Sequence, residues 1–458
     1  VSHNILEGGY RPSRNTALKV MAQGHNEWPA DNKTLVTGTE ELVGGKTQYL
    51  RVSDNTFNRA DNANGIWHVE FKPQDTGQSG TVEFIDDVVS ENNTWITTSA
   101  DLGLQRAIQA MGVNIIQRGG TYTMPTPFGT ESYPSEYTNY GNPESGLYDA
   151  SRHGPYYMNS ATPATQAPVI KMVNADLIAS RSLGPAPLTV TFDAIGTVHA
   201  DSNIDTFREL GYYFDFDDIG AGTWAYSGKP KNSETGAPLA THVFNNPGTY
   251  EVLVSADDGA GNVDQKSVTI TVQDPDVVYS GTDTVFTTTG TDTSLAPAGA
   301  LLRTNATSWP VFESNKRYLF VRGEDLRGFS GVPRASFSQN MLIDVVGVGE
   351  RPNASDAIFD FDWIHTASNS NWTNWTTNAV IRGMHFQRII GSHTMNHVSL
   401  IDCRSENTID LNGSIEYLYG QTSIDISIRN AMHWPEAVSI IECQILNPDQ
   451  NVSNGRGI

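Results

Sequence analysis

The chain has 458 residues with 41 Gly, 22 Pro and only 17% charged residues, a composition that favours short strands and many turns over long helices. Its net charge of −22 argues against a nucleic-acid partner, because phosphate binding needs clustered Lys and Arg. No apolar run approaches a membrane span and no helical heptads run through the sequence.

The opening "VSHNILEGG" (1–9) has no Met, no basic n-region and no apolar h-region, so it does not read as an intact signal peptide. It reads as the middle of a strand-and-turn unit, and "VSDNTF" (52–57) is close to its twin. Related phrases follow at "TVEFIDDVVSEN" (81–92) and "GVNIIQRGGTY" (112–122). Each joins apolar β-branched residues to a polar bend and then to another short apolar stretch. Residues 1–124 therefore form one segment of stacked short strands. Residues 125–182 are a different material, rich in Pro, Tyr, Gly, Ser and Asn, and read as a linker or surface wrap. Tyr133, Tyr137, Tyr140, Tyr148, Tyr156 and Tyr157 suggest that this wrap packs on the strands beside it or on a sugar or subunit.

From 183 to 273 the pattern changes to clear alternation. "PAPLTVTFDAIGT" (185–197) is a strand after a Pro-rich entry, and "ELGYYFDFDDIG" (209–220) is a strand that ends in an acidic turn. In 241–272, Asn-Pro-Gly makes a tight turn, "TYEVLVSA" alternates, "DDGAGN" turns again and "SVTITV" closes. Strands of period two separated by turns at short intervals predict an immunoglobulin-like β-sandwich. His242, Phe244, Pro247, Gly248 and Tyr250 form a His-x-Phe-x-x-Pro-Gly-x-Tyr stretch, and "VSADDGAG" follows. On these residues the segment resembles a PKD domain (the polycystic-kidney-disease repeat). The family's aromatic-Asp-Phe-Gly-Asp-Gly signature departs here, with Asp217 where Gly is usual. The resemblance implies an extracellular spacer or binding module and no catalytic residues. In the turn, Asp257, Asp258 and Asp264 are candidate calcium ligands, although their spacing is not that of an EF-hand.

In 277–458 the repetitive phrases return as "AVIRGMHFQRI" (379–389), "HVSLIDCRSEN" (397–407), "SIDISIRNA" (423–431) and "AVSIIECQILN" (437–447). Irregular recurrence at roughly 16–30 residues is a solenoid signature. The two flanking segments resemble the right-handed parallel β-helix of carbohydrate-active proteins and adhesins, giving an all-β expectation throughout. Residues 283–329 read as the first coil and 96–124 as the last, so 277–458 supplies early coils and 1–124 late ones. Cys403 and Cys443 share one local phase about two coils apart, roughly 9–10 Å. That exceeds disulfide reach, so both are expected as buried thiols.

Joining residue 458 to residue 1 in thought aligns "GIVSHNIL" with "SIIECQIL". Val1, Ser2, His3, Ile5, Ile441, Gly457 and Ile458 would make this join within one chain, between copies end to end, or within a longer repetitive protein. The expectation is an extracellular structural or adhesive protein that self-associates head to tail. The alternative is a secreted polysaccharide lyase or hydrolase with a spacer domain. For that chemistry Asp402, Arg404, Glu442 and His3 share a phase, with Arg382 and His385 upstream. A lyase needs a base near the acidic proton and a cation on the uronate carboxylate, and a hydrolase needs two carboxylates about 5–9.5 Å apart. Copies of itself and polysaccharide are the expected partners. No P-loop, His-Glu-x-x-His, Cys-x-x-Cys or Gly-x-Ser-x-Gly is present.

Overall fold

A computed structural model describes residues 2–7, 18–22, 47–59, 69–73, 85–97, 108–110, 115–118, 121–123, 130–132, 137–138, 173–335 and 340–361, and between 376 and 445 the residues 376–391, 395–396, 398–406, 408–412, 415–419, 422–423, 425–429, 439–441 and 444–445. Among these, secondary structure is almost wholly strand, and no helix is long and apolar enough to cross a membrane.

Parallel ladders make up the two flanking segments. Eight strands run in the order Leu301–Arg303, Thr284–Thr287, Arg317–Val321, Leu342–Val346, Val380–Arg382, Val398–Ile401, Ile415–Tyr419 and Ser439–Ile441, each pair parallel. In the N-terminal segment the chain visits three ladders in rotation. Thr47–Ser53 pairs with Ile85–Glu91 and that strand with Ile115–Arg118. Thr56–Arg59 pairs with Thr94–Thr97 and then Thr121–Thr123. Val69–Pro73 lies between Leu18–Ala22 and Ile108–Ala110. Each layer therefore stacks on its predecessor at the inter-strand spacing of about 4.8 Å. At one end the antiparallel strands Thr130–Ser132 and Tyr137–Thr138 cover the last parallel ones, which removes open edges.

The bends repeat as closely as the strands. His3, Asp54 and Asn92 have φ of 56°, 57° and 52°, and Asp402 and Gly383 have 53° and 74°. Each stands two residues before the next strand, a left-handed step that Asn and Asp tolerate better than most side chains. The residue after it turns inward. Met384 and Cys403 are fully buried there in one half, and Asn4, Asn55 and Asn93 in the other. The three asparagines form a ladder. Asn4 donates to Asn55 Oδ1 from its backbone N at 3.1 Å and from Nδ2 at 2.8 Å. Asn55 does the same to Asn93 Oδ1, both at 3.0 Å. Asn93 Nδ2 closes the stack on Val52 O at 2.9 Å. Cys403 is a buried free thiol pushed up to about 12 by burial, and Cys443 lies outside the described residues.

The two segments meet inside one chain. Ser2 bridges Ile441 on one side and Ser53 on the other, both parallel. Ile5–Glu7 lies between Gln444–Ile445 and Thr56–Arg59. Of the three joins considered, the one present is within the chain: Ser2, Ile5 and Ile441 pair with the chain's own strands. Val1, Gly457 and Ile458 lie outside the described residues.

Between the segments stands a β-sandwich. One sheet runs Leu183–Pro185, Val263–Gln273, Gly248–Asp257, Gly211–Asp215 and Ser233–Gly236, and the other Ile178–Ala179, Leu188–Asp193 and Leu239–Phe244. Alternation sets the core: Tyr212 and Phe214 point in while Tyr213 is exposed, and Val252, Val254 and Ala256 point in from the next strand. They pack with Val190, Phe192, Phe216, Phe244 and Ile270. The sandwich starts earlier than its Pro-rich entry suggests, because Val173, Ala175 and Leu177 already belong to its core. Residues 125–136 and 139–172 of the Tyr-rich stretch include only the short strand Thr130–Ser132 among those described.

Candidate functional site

The sandwich is docked on the ladders along two apolar patches. Trp224 and Val243 pack with Ile401, Ile441 and Val380. Phe207 and Ala237 pack with Val89 and Tyr49, the Tyr49 and Phe207 rings lying 5.1 Å apart. Phe207 is presented by the short helix Thr206–Glu209, whose N-terminus is capped by the Asp205 carboxylate.

Between the patches lies a polar cluster. His3 and Asp54 occupy equivalent left-handed bends of adjacent layers, so both side chains leave the ladder at one place. The His3 ring stacks on Trp224 at 4.7 Å and 13°. Its Nδ1 is 2.7 Å from Ser227 Oγ and its Nε2 is 3.1 Å from Glu234 Oε2. Arg51 donates to Glu234 Oε1 at 2.9 Å, to Glu91 Oε1 at 3.2 Å and to the Thr235 carbonyl. Lys229 Nζ is 2.7 Å from Asp54 Oδ1. Gly236 is required here, because its φ is +116° and a Cβ would stand 1.7 Å from Glu91 Oε1. Desolvation alone would raise the buried Glu234 carboxyl; the charge of Arg51 and the hydrogen bond from His3 outweigh it and hold it at about 2. Burial likewise opposes the Arg51 charge, and Glu234, Glu91 and Asp54 raise it on balance. Buried pairs of this kind add little net stability, but breaking one partner is costly, so they fix where two surfaces dock.

The residues marked by the sequence for sugar chemistry fall into two places. Arg382 grips Asp344 with two bonds of 2.6 and 2.5 Å. Arg351 pairs with Asp402, and Arg322 Nη2 is 3.9 Å from the same carboxylate. His385 Nε2 is 2.6 Å from Glu406 Oε1, which Arg404 approaches at 3.2 Å. Burial lowers the His385 imidazole against the pull of Glu406. This is one row of ion pairs, in which Arg382 and Arg351 already hold protein carboxylates in the way a uronate would be held. His3 is not in the row; it lies under the sandwich. Glu442 lies outside the described residues.

The candidate calcium ligands are engaged separately. Asp257 Oδ1 accepts from Gly259 N at 2.7 Å, and Asp264 Oδ2 from Ala175 N at 2.8 Å. Asp258 accepts from Ala260 N and from the Asn262 backbone and side chain. Desolvation would raise Asp258, but these bonds hold it at about 2. The described residues bring together a different His and carboxylate group, namely His3, Asp54 and Glu234.

Sequence reasoning missed Arg51, Asp54, Glu91, Glu234 and Trp224. The partners lie far apart along the chain, and no local pattern links them. One signal was available: His3 and Asp54 stand at the same place in the V-S-x-N units that begin at Val1 and Val52.

Inside the sandwich, the acidic turn and the His-x-Phe stretch meet. His242 Nε2 donates to Asp218 Oδ2 at 3.0 Å, and its ring lies 4.5 Å from Phe216 and 4.7 Å from Phe244. Tyr250 packs on Phe244 at 4.6 Å and its hydroxyl donates to Asn246 O. No curated protein matches the chain. Residues 174–272 match the PKD domain family.

Proposed function

We propose that the chain is an extracellular structural or adhesive module. In this reading its parallel ladders wind as a right-handed β-helix, and the PKD domain is a brace clamped to its flank. The observation that carries it is the docking of the sandwich across the join, with Arg51 and His3 on one side and Ile401 and Ile441 on the other. A freely tethered spacer has no need of buried ion pairs to the body it spaces. The PKD match supports the extracellular location. Assembly into fibres, if part of the function, would use surfaces other than the ladder edges at residues 2–7 and 439–445, which are filled.

A second reading, a secreted polysaccharide lyase, is favoured by the row Arg322, Arg351, Arg382, His385 and Arg404. The engagement of Arg351 and Arg382 with Asp402 and Asp344 weighs against it. The test is incubation of the purified chain with pectate, alginate, hyaluronan and neutral glycans, following new reducing ends and unsaturated uronates together with retention on each glycan. The module reading expects no release of product. Product formation that disappears in His385→Ala and Arg404→Ala would sink it and install the enzyme.

A further inference from the structure

We propose that His3, Asp54 and Glu234 form a binding site for a divalent transition-metal ion that ties the sandwich to the two layers at the join. The site goes beyond the structural reading above and does not depend on it. One ligand atom from each of the three residues lies within 4.8 Å of the others. His3 Nε2 and Glu234 Oε2 are 3.1 Å apart. A tetrahedral ion with ligands about 2.0–2.2 Å away places neighbouring donors roughly 3.4 Å apart, so this pair needs almost no movement.

A second observation points to a ligand independently of the clustering. Asp54 Oδ2 is buried and has no hydrogen-bond partner among the described residues, and the Asp54 side chain is only 5% exposed. A buried carboxylate oxygen without a partner is costly, and a cation is the partner it lacks.

The surroundings orient the three donors as metal sites require. Ser227 holds Nδ1 of His3, and Trp224 stacks on its ring, so the imidazole cannot turn away. Arg51 occupies Oε1 of Glu234 and Lys229 occupies Oδ1 of Asp54. Each carboxylate thus keeps one oxygen, Oε2 and Oδ2, that these cations do not hold. Arg51 is offset by Glu91 and Lys229 by one of the two ligand carboxylates, which leaves one negative charge to attract a cation. One imidazole nitrogen with two carboxylate oxygens is a donor set for zinc or manganese, with a further position open. Two ligands come from equivalent bends in stacked layers and the third from the sandwich, so an ion here would bridge the seam.

The experiment uses the full chain stripped with EDTA and titrated with Zn²⁺ by calorimetry, and with Co²⁺ by visible absorption. One Zn²⁺ per chain is expected, with a Co²⁺ band of low-coordinate type. Asp54→Asn keeps the shape of the side chain and should weaken Zn²⁺ binding by at least about tenfold and abolish the band. Lys229→Ala leaves all three donors and removes a cation that competes for Asp54, so binding should tighten about threefold or more. Absence of stoichiometric Zn²⁺ uptake by the native chain would overturn the proposal. So would equal affinity in a folded Asp54→Asn, which would assign the uptake to surface histidines. If Asp54→Asn does not fold, Lys229→Ala decides, and unchanged or weaker binding there overturns the site.

Discussion

Ile5 stands in register with Gln444 on one side and with Thr56 on the other. One residue near the start of the chain thereby closes the gap between the two halves of the parallel ladders. Ser2 does the same one layer-edge away, bridging Ile441 and Ser53. Adjacent parallel strands hold such partners about 4.8 Å apart, inside the range a disulfide spans. The double variant Ser2→Cys with Ile441→Cys should therefore oxidise to a cross-link within one chain. Non-reducing electrophoresis should give a single-chain species, with each single variant as control. Covalent multimers specific to the double variant would place the join between copies instead.

The asparagine ladder should matter more than a comparable surface amide. Asn55 accepts from two donors of Asn4 and donates twice to Asn93. Asn55→Ala keeps its own backbone donor but removes the acceptor for Asn4 and one donor to Asn93, all buried. Each buried group left unpaired costs about 1–3 kcal/mol, so a loss of about 3 kcal/mol is expected from urea unfolding. A loss under about 0.5 kcal/mol would mean that the stacked strands rearrange and the asparagine ladder does not hold them.

Acid should weaken the sandwich through His242. Burial lowers this imidazole below its ordinary value; the Asp218 hydrogen bond and Glu234 oppose that shift, and Lys231 adds to it. Nδ1 has no hydrogen-bond partner among the described residues, so the proton that charging would add there finds no acceptor among them. Well above about pH 6.5 the histidine is neutral in both folded and unfolded chains and contributes no pH dependence. Below that, the unfolded chain takes up a proton that the folded one refuses, so stability falls as pH falls, by up to about 1.4 kcal/mol per pH unit. Urea midpoints of the full chain between pH 7.5 and 5.0 should fall more steeply than those of His242→Gln. Parallel slopes would show that His242 charges freely in the fold.

How much of this was legible follows from where each signal is stored. The V-S-x-N units that begin at Val1 and Val52 mark the bends at His3 and Asp54, whereas the unit at Val89 is one residue out of that phase, because Val52 pairs with Ser90. The His242 to Tyr250 stretch marked the PKD domain because its residues are close in sequence. The clamp was not legible, because His3 and Glu234, or Arg51 and Glu234, meet only when two separately folded surfaces dock. The start of the sandwich at Val173 was hidden by a stronger nearby signal, the Pro-rich entry at Pro185 and Pro187. The Asp257 to Asp264 turn was marked as a candidate cation loop by its oxygen-rich composition, and the same side chains also accept from backbone donors there.

Asp217 departs from the PKD pattern at a position where Gly is usual, and the backbone there explains the preference. Its φ is 57°, a left-handed conformation that Gly adopts freely and that costs most L-residues about 1–2 kcal/mol. Asp is among the better-tolerated substitutes because its short side chain bonds locally. Here Asp217 Oδ2 accepts from Glu251 N at 3.1 Å, and its own backbone N donates to Asp215 Oδ1 at 3.0 Å. Asp217→Gly removes the strain and that side-chain acceptor together, so its stability should stay within about 1 kcal/mol of the parent. Asp217→Ala removes the acceptor and keeps the strain. It should be less stable than Asp217→Gly by about 1 kcal/mol or more. Thermal or urea unfolding of the three chains side by side gives the order, and Ala equal to or above Gly would show that this turn does not hold the left-handed conformation.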